Sequence, residues 1–362
     1  MFVWWCVGSA LAAEPDAEQS ADQAIEEARL AALEAEVAAL QASRVGTPSS
    51  PSAFNPALTA FGDVLGTVGV RDGAVTDGSA PWIRSLELDV RAAVDPFANA
   101  VAILAIEQEP PVLEPDPSVD TEPVSFDAAA EELYIDLVSL PAGFSVRAGG
   151  FRQPFGITNR AHPHDYPWPD TPLPLAALLG DEGLNEVGAT IEWHVPNPSA
   201  VGLTLTGGAN GGARFDDAGD DPLPGWIGRA EVFGDAGKVD IGLGGSATGL
   251  RDDYVAGGDL LVRWRANSWR SVVLLGEVLT DGGDLGAYGA LQVQPTRPLY
   301  IGGRIDWFDD TLQAGGFVTF YTSEFLRVRA GAMADTTGLV VSNAQLTFVW
   351  GSHPVEPYWV NR

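Results

Sequence analysis

Between Ala57 and His353 apolar and polar side chains alternate, in segments of about ten residues that end in turn-forming residues. In Ser85-Leu86-Glu87-Leu88-Asp89-Val90-Arg91-Ala92 and in Thr190-Ile191-Glu192-Trp193-His194-Val195 every second residue is polar or charged. Near the C-terminus Arg304 and Asp306 alternate with Ile301, Ile305 and Trp307, and Asn343, Gln345 and Thr347 alternate with Leu346, Phe348 and Trp350. A period of two is that of a β-strand whose two faces meet different surroundings. About sixteen such strands can be drawn, with fourteen or eighteen left open, because boundaries read from one sequence shift by a few residues.

Short turns at Asp95-Pro96-Phe97, Pro141-Ala142-Gly143, Pro196-Asn197-Pro198, Asp235-Ala236-Gly237, Ala266-Asn267-Ser268 and Pro295-Thr296-Arg297 fall between other connections. The long ones run from Glu109 to Asp127, Gln153 to Val187 and Ala213 to Gly225. Short turns at one end and longer loops at the other is the plan of an outer-membrane barrel, and an even strand number brings both chain ends to the short-turn side. The expected fold is all-β: an antiparallel transmembrane β-barrel. A soluble secreted β-sandwich adhesin alternates too, and partition into detergent separates it from a barrel.

The two faces carry different residues. Trp193, Trp226, Trp264, Trp307, Phe348 and Trp350 share a face with Val, Ile, Leu, Ala or Gly, as a lipid-facing band with aromatic girdles requires. The opposite face carries Arg147, Asp136, Glu192, Arg263, Arg265, Arg304, Arg327 and Arg329, which with Arg152 and with Arg160 of the long connection are the candidate pore-lining and constriction residues. An Arg facing mid-bilayer costs about 2–4 kcal/mol, so these charges belong around a water-filled lumen. Two readings of the arginines stay open. They form an anion path, or they pair with Glu192, Asp136, Glu231 and Asp306 across the wall, which the excess of acid favours.

Outside the barrel, residues 57–353, the chain divides further. Residues 1–13 form a short apolar stretch closing on Ala10-Leu11-Ala12, the pattern of a secretory signal peptide. Residues 14–43 read as a helix with a brief a/d seam at Leu30, Leu33, Val37 and Leu40, a short coiled coil placed in the periplasm. A Ser/Pro/Gly linker covers 44–56 and a tail covers 354–362. With 49 acidic and 20 basic residues, net charge -29, the chain is a poor partner for nucleic acid. At 46% hydrophobic and 19% charged residues it is no disordered chain either. The one cysteine, Cys6, lies in the signal segment, so the mature chain has no disulfide.

Catalysis is not expected. Only His162, His164, His194 and His353 are available as bases, and no G-x-S-x-G motif is present. His162, His164 and Asp165, with Asp170 nearby, are candidate metal ligands, because imidazole and carboxylate suit zinc. The competing reading is a loop pinned by Pro163, Pro167, Pro169, Pro172 and Pro174 whose histidines bond locally. No cofactor is otherwise expected. The acidic stretches at 114–122 and 216–221 lack the spacing of a calcium loop.

The stretch Arg147-Ala148-Gly149-Gly150-Phe151-Arg152-Gln153-Pro154-Phe155-Gly156 resembles the G-x-F-x-x-P-F-G segment of Gram-negative outer-membrane porins of the phosphate-selective O and P group and of related barrels known as zinc-regulated outer-membrane receptors. His162-Pro163-His164-Asp165 and Gly180-Asp181-Glu182-Gly183-Leu184 look like the long loop of the receptor-type relatives. The resemblance implies a porin-like channel in the outer membrane, surrounded by lipid, passing small hydrophilic solutes or ions by diffusion and assembled as a homotrimer. It also implies that the third external loop, here 153–187, folds into the channel and constricts it. The alternative is a receptor that binds a ligand or metal at that loop. Two departures stand out: the chain is acidic with Lys238 as its one lysine, which argues against phosphate selectivity, and it ends Val360-Asn361-Arg362 rather than on an aromatic.

Overall fold

The computed structural model describes residues 56–351 apart from 110–124, 139, 198, 200, 217–222 and 268. The signal segment, the helix 14–43, the linker up to residue 55 and the tail 354–362 lie outside the described residues. Sixteen antiparallel strands, as the spacing predicts, close on themselves. They are β1 (Ala57–Arg71), β2 (Ala74–Asp95), β3 (Ala98–Gln108), β4 (Phe126–Leu137), β5 (Phe144–Arg152), β6 (Asn185–His194), β7 (Val201–Asn210) and β8 (Gly225–Ala236). The second half holds β9 (Val239–Leu250), β10 (Asp253–Arg265), β11 (Ser271–Thr280), β12 (Leu285–Thr296), β13 (Leu299–Phe308), β14 (Thr311–Ser323), β15 (Leu326–Asp335) and β16 (Leu339–Gly351). Each strand pairs with its sequence neighbours, and β1 meets β16 from Thr59↔Gly351 to Arg71↔Leu339. Closure leaves no unpaired edge.

Alternation sets the faces. Leu88, Leu104, Leu133, Leu243, Leu274, Leu291, Ile305 and Val328 are exposed on the outside, a band of the kind a bilayer demands. Aromatic residues edge this band: Phe97, Phe144, Phe233, Trp264, Phe320 and Trp350 near the short-turn end, and Phe126, Trp226, Tyr254 and Trp307 near the other. Trp193 and Phe348 are half-buried, stacked on Phe144 and Trp350 with ring centroids 5.6 and 5.7 Å apart.

The long-loop end is less uniform than the sequence implies. β1–β2, β9–β10 and β13–β14 turn there in two residues, with positive φ at Asp72, Arg251 and Asp309 as tight hairpins require. The third connection ends at Leu184 rather than Val187, because Asn185, Glu186 and Val187 pair with Arg152, Phe151 and Gly150. Gly149 in β5 shows why the recognised motif needs its glycines. Its φ is +136°, and a Cβ there would sit 2.2 Å from the Leu133 carbonyl oxygen and 2.6 Å from the Tyr134 Cα. Gly149→Val is expected to cost on the order of 1–3 kcal/mol through strained backbone and lost β4–β5 pairing. Urea-dependent folding into vesicles checks this, and an unchanged midpoint would contradict it.

Candidate functional site

The candidate site is the lumen, into which the third external loop, residues 153–184, folds. The loop is tied at its neck by Asn159, whose Nδ2 donates to the carbonyls of Gln153 (2.9 Å) and Leu184 (3.2 Å) while its Oδ1 accepts from the Leu184 N–H (2.7 Å). Pro154-Phe155-Gly156 then sends the chain across the barrel. Gly156 has φ +57°, and its N–H donates to Ser246 Oγ (3.1 Å) on β9. The next N–H groups, of Ile157 and Thr158, converge on Glu277 Oε1 of β11 at 2.9 and 2.7 Å. A Cβ at residue 156 would meet the Glu277 carboxylate at 2.3 Å, so only glycine lets the backbone come this close.

Beyond this anchor the loop builds an apolar core inside the barrel. Phe155, Ile157, Tyr166, Trp168, Leu175, Leu178, Leu179 and Leu184 pack on inward-facing Val255, Leu275, Leu279, Tyr288, Tyr300 and Phe317. A short helix, α1 (Leu173–Leu179), contributes Pro174, Leu175, Leu178 and Leu179 from one face. This corrects the expectation of a uniformly polar interior. In β11 Leu275 and Leu279 face the loop while Leu274 and Val278 face outward, so apolar residues occur on both sides of the strand.

The far wall holds the loop through arginines. Arg304 Nη1 and Nη2 reach the Asp170 carboxylate at 3.1 and 2.8 Å, and its Nε donates to Asp306 (2.8 Å). Asp306 also accepts the Leu173 N–H at 3.1 Å. Arg329 donates to the Trp168 carbonyl (3.0 Å) and Gln345 Oε1 (2.8 Å), Arg84 to the Pro169 carbonyl (2.6 Å), and Arg327 to the His164 carbonyl and Thr347 Oγ1. Arg152 donates to the Glu182 carbonyl at 2.7 Å. Arg304, Arg327 and Arg329 therefore face inward, as their register predicts, and end on the loop.

The other expected lumen residues surround a cavity of about 760 Å³ toward the short-turn end. Arg147 pairs with Asp136 at 2.7 Å and lies 4.2 Å from the Tyr134 ring centroid. Arg160 lies 3.3 Å from Glu231, and Glu192 lies 2.9 Å from His194 Nε2. Arg91, Arg147, Arg152, Arg160 and Arg229 line this cavity with Glu132, Asp136, Asp165, Glu192 and Glu231, and His162 and His194 line it too. Arg263 and Arg265 lie apart, sharing Asp240 at 2.7 and 2.8 Å. Pairing is thus the dominant arrangement, with Asp170, against Arg304, and Asp259, against Arg229, as partners that alternation alone did not single out.

The two loop histidines sit against an acidic stretch of wall. Their ring centroids are 5.4 Å apart. His164 Nδ1 is 3.0 Å from Glu87 Oε1 on β2 and its Nε2 is 3.6 Å from Asp165. His162 Nδ1 is 2.7 Å from Glu131 and its Nε2 is 3.8 Å from Glu132. Both glutamates reach the same ring because the β3–β4 register skips Glu131, a bulge that leaves an extra residue between Ala130 and Glu132. Burial alone would depress the His162 pKa, but Glu131 and Glu132 outweigh it and push it up to about 10, and Glu87 and Asp165 raise that of His164. Asp170, the fourth candidate ligand, is instead engaged by Arg304. Glu87, far upstream in sequence, is the member that spacing could not reveal.

No family model matches the chain. A segment of 112 residues, 31% of this chain, is 32% identical to an uncharacterized protein of Aquifex aeolicus, and the match spans 20% of that protein's length. Among solved structures, the high-pH structure of Pseudomonas putida OprB has a TM-score of 0.54 at 10% identity, covering 82% of this chain and 94% of that one. The anion-selective porin from Comamonas acidovorans gives 0.53 at 11% identity, with 82% and 99% covered. A loop L8 deletion mutant of OmpT, an outer membrane protein of Vibrio cholerae, gives 0.51 at 10%, with 82% and 99% covered. Identities this low establish a shared fold, the barrel of the porins.

Proposed function

We propose that this chain is an outer-membrane channel through which small hydrophilic solutes or ions diffuse passively, with loop 153–184 setting the constriction. The observation that carries it is a closed barrel, apolar and aromatic-edged outside, whose third external loop packs against inward-facing residues of its wall. Such an exterior is stable only in a bilayer, and a charged interior only around water. The test is planar-bilayer conductance of the detergent-purified mature chain. Discrete open steps are expected; persistent silence from demonstrably heat-modifiable protein would overturn the reading.

The mixture of basic and acidic side chains around the 760 Å³ cavity supports weak ion selectivity rather than preference for phosphate. A small reversal potential is expected in a salt gradient. Arg147→Glu places an unpaired acidic group beside Asp136 and is expected to shift the reversal potential toward cations without changing the folding free energy, read from urea titration, by more than about 1 kcal/mol, since both groups are part-exposed. No shift in selectivity would remove Arg147 from the permeation path.

A further inference from the structure

We propose that Glu87, His162 and His164 form a binding site for a borderline divalent cation of the zinc type, which staples the inserted loop to β2. One ligand atom from each of the three residues lies within 4.8 Å of the others. A tetrahedral zinc site needs ligand atoms about 3.3 Å apart, so closure takes shifts on the order of 1 Å. Two imidazoles with a carboxylate favour a zinc-like ion over calcium or magnesium, which take oxygen sets.

A further observation points to a cation here. Both ring nitrogens of His162 and Glu131 Oε2 are buried without an aligned hydrogen bond, although the closest pair is only 2.7 Å apart. Proximity without alignment leaves donors or lone pairs unspent, a cost that an ion bound between the rings would remove.

The surroundings are organised as a metal site's outer shell is. Ser85 Oγ donates to Glu87 Oε1 at 3.0 Å and fixes that carboxylate. Asp165 lies 3.6 Å from His164 Nε2, the position of a carboxylate that orients a ligating imidazole through its other nitrogen. Pro163 between the two histidines and the Asp165 N–H to His162 carbonyl bond (2.9 Å) hold the rings on one short turn. His162 and Asp165 also line the large cavity, which gives an ion a route in.

The test uses the full refolded chain, stripped with a chelator and titrated with zinc chloride by calorimetry, with zinc-edge X-ray absorption on the loaded protein. One equivalent is expected to bind, with an absorption spectrum showing two imidazole ligands, and to raise the temperature at which the folded band converts in electrophoresis. Glu87→Gln is expected to weaken binding at least 10-fold, the lower range for loss of even an outer-shell partner. The His162→Gln/His164→Gln double variant is expected to abolish it. Should that variant fail to fold, the wild-type absorption spectrum still decides. Absence of a saturable equivalent, a spectrum without imidazole, or unchanged binding in Glu87→Gln would overturn the site and leave the histidines as imidazolium clamps on the glutamates. Conductance measured without zinc tests the channel reading separately.

Discussion

Replacing Trp168 by alanine is expected to destabilise the folded barrel by about 3–5 kcal/mol and to enlarge its conductance steps. Trp168 is 2% exposed and sits between Tyr166, Tyr288 and Phe317, with ring centroids 6.1, 6.1 and 6.4 Å away. The Arg304 guanidinium lies 5.2 Å from its centroid. Its indole N–H has no hydrogen-bond partner, so the loss is one of packing and ring contacts rather than of a polar bond. The same ring is the middle of the loop's apolar core, so the cavity left behind frees the segment between the neck at Asn159 and α1. A loosened loop obstructs less of the lumen, and the steps should grow larger and noisier. Trp168→Phe should recover part of both effects by refilling part of the volume. Wild-type stability together with wild-type conductance in Trp168→Ala would show that the loop does not seat on this ring.

The strands were legible because lipid and water impose opposite demands on alternate residues, and the register of Glu87, Glu192, Arg304 and Arg329 follows directly. Where a third medium intrudes, alternation loses its meaning. Leu275 and Leu279 face inward yet are apolar, because they meet Trp168's neighbours and α1 instead of water. The motif 149–156 could be recognised but not explained from sequence: Gly156 matters because Glu277, 121 residues later, comes within a carbon's reach of it. The histidine cluster was half legible. His162-Pro163-His164-Asp165 is contiguous, whereas Glu87 and Glu131 arrive only by strand pairing and a bulge.

Arg304→Met is expected to cost about 3–5 kcal/mol, because it strips a buried charge pair of its cation. Arg304 and Asp306 are both 0% exposed and 2.8 Å apart, and with the guanidinium gone Asp306 keeps only the Leu173 N–H and the Gln313 amide as partners. The second arm, to Asp170, is different. Asp170 is 39% exposed, so water already solvates it and its pairing is worth at most about 1 kcal/mol. A double-mutant cycle with Asp306→Asn should therefore give a coupling energy well above that of a cycle with Asp170→Asn, read from urea-dependent folding into vesicles. The Asp170 variant alone should leave stability and step size near wild type, since Arg304 keeps the Asp170 carbonyl and Asp306 as partners and no charge is stranded. Equal couplings would mean that the Asp306 side of the wall is as wet as the Asp170 side.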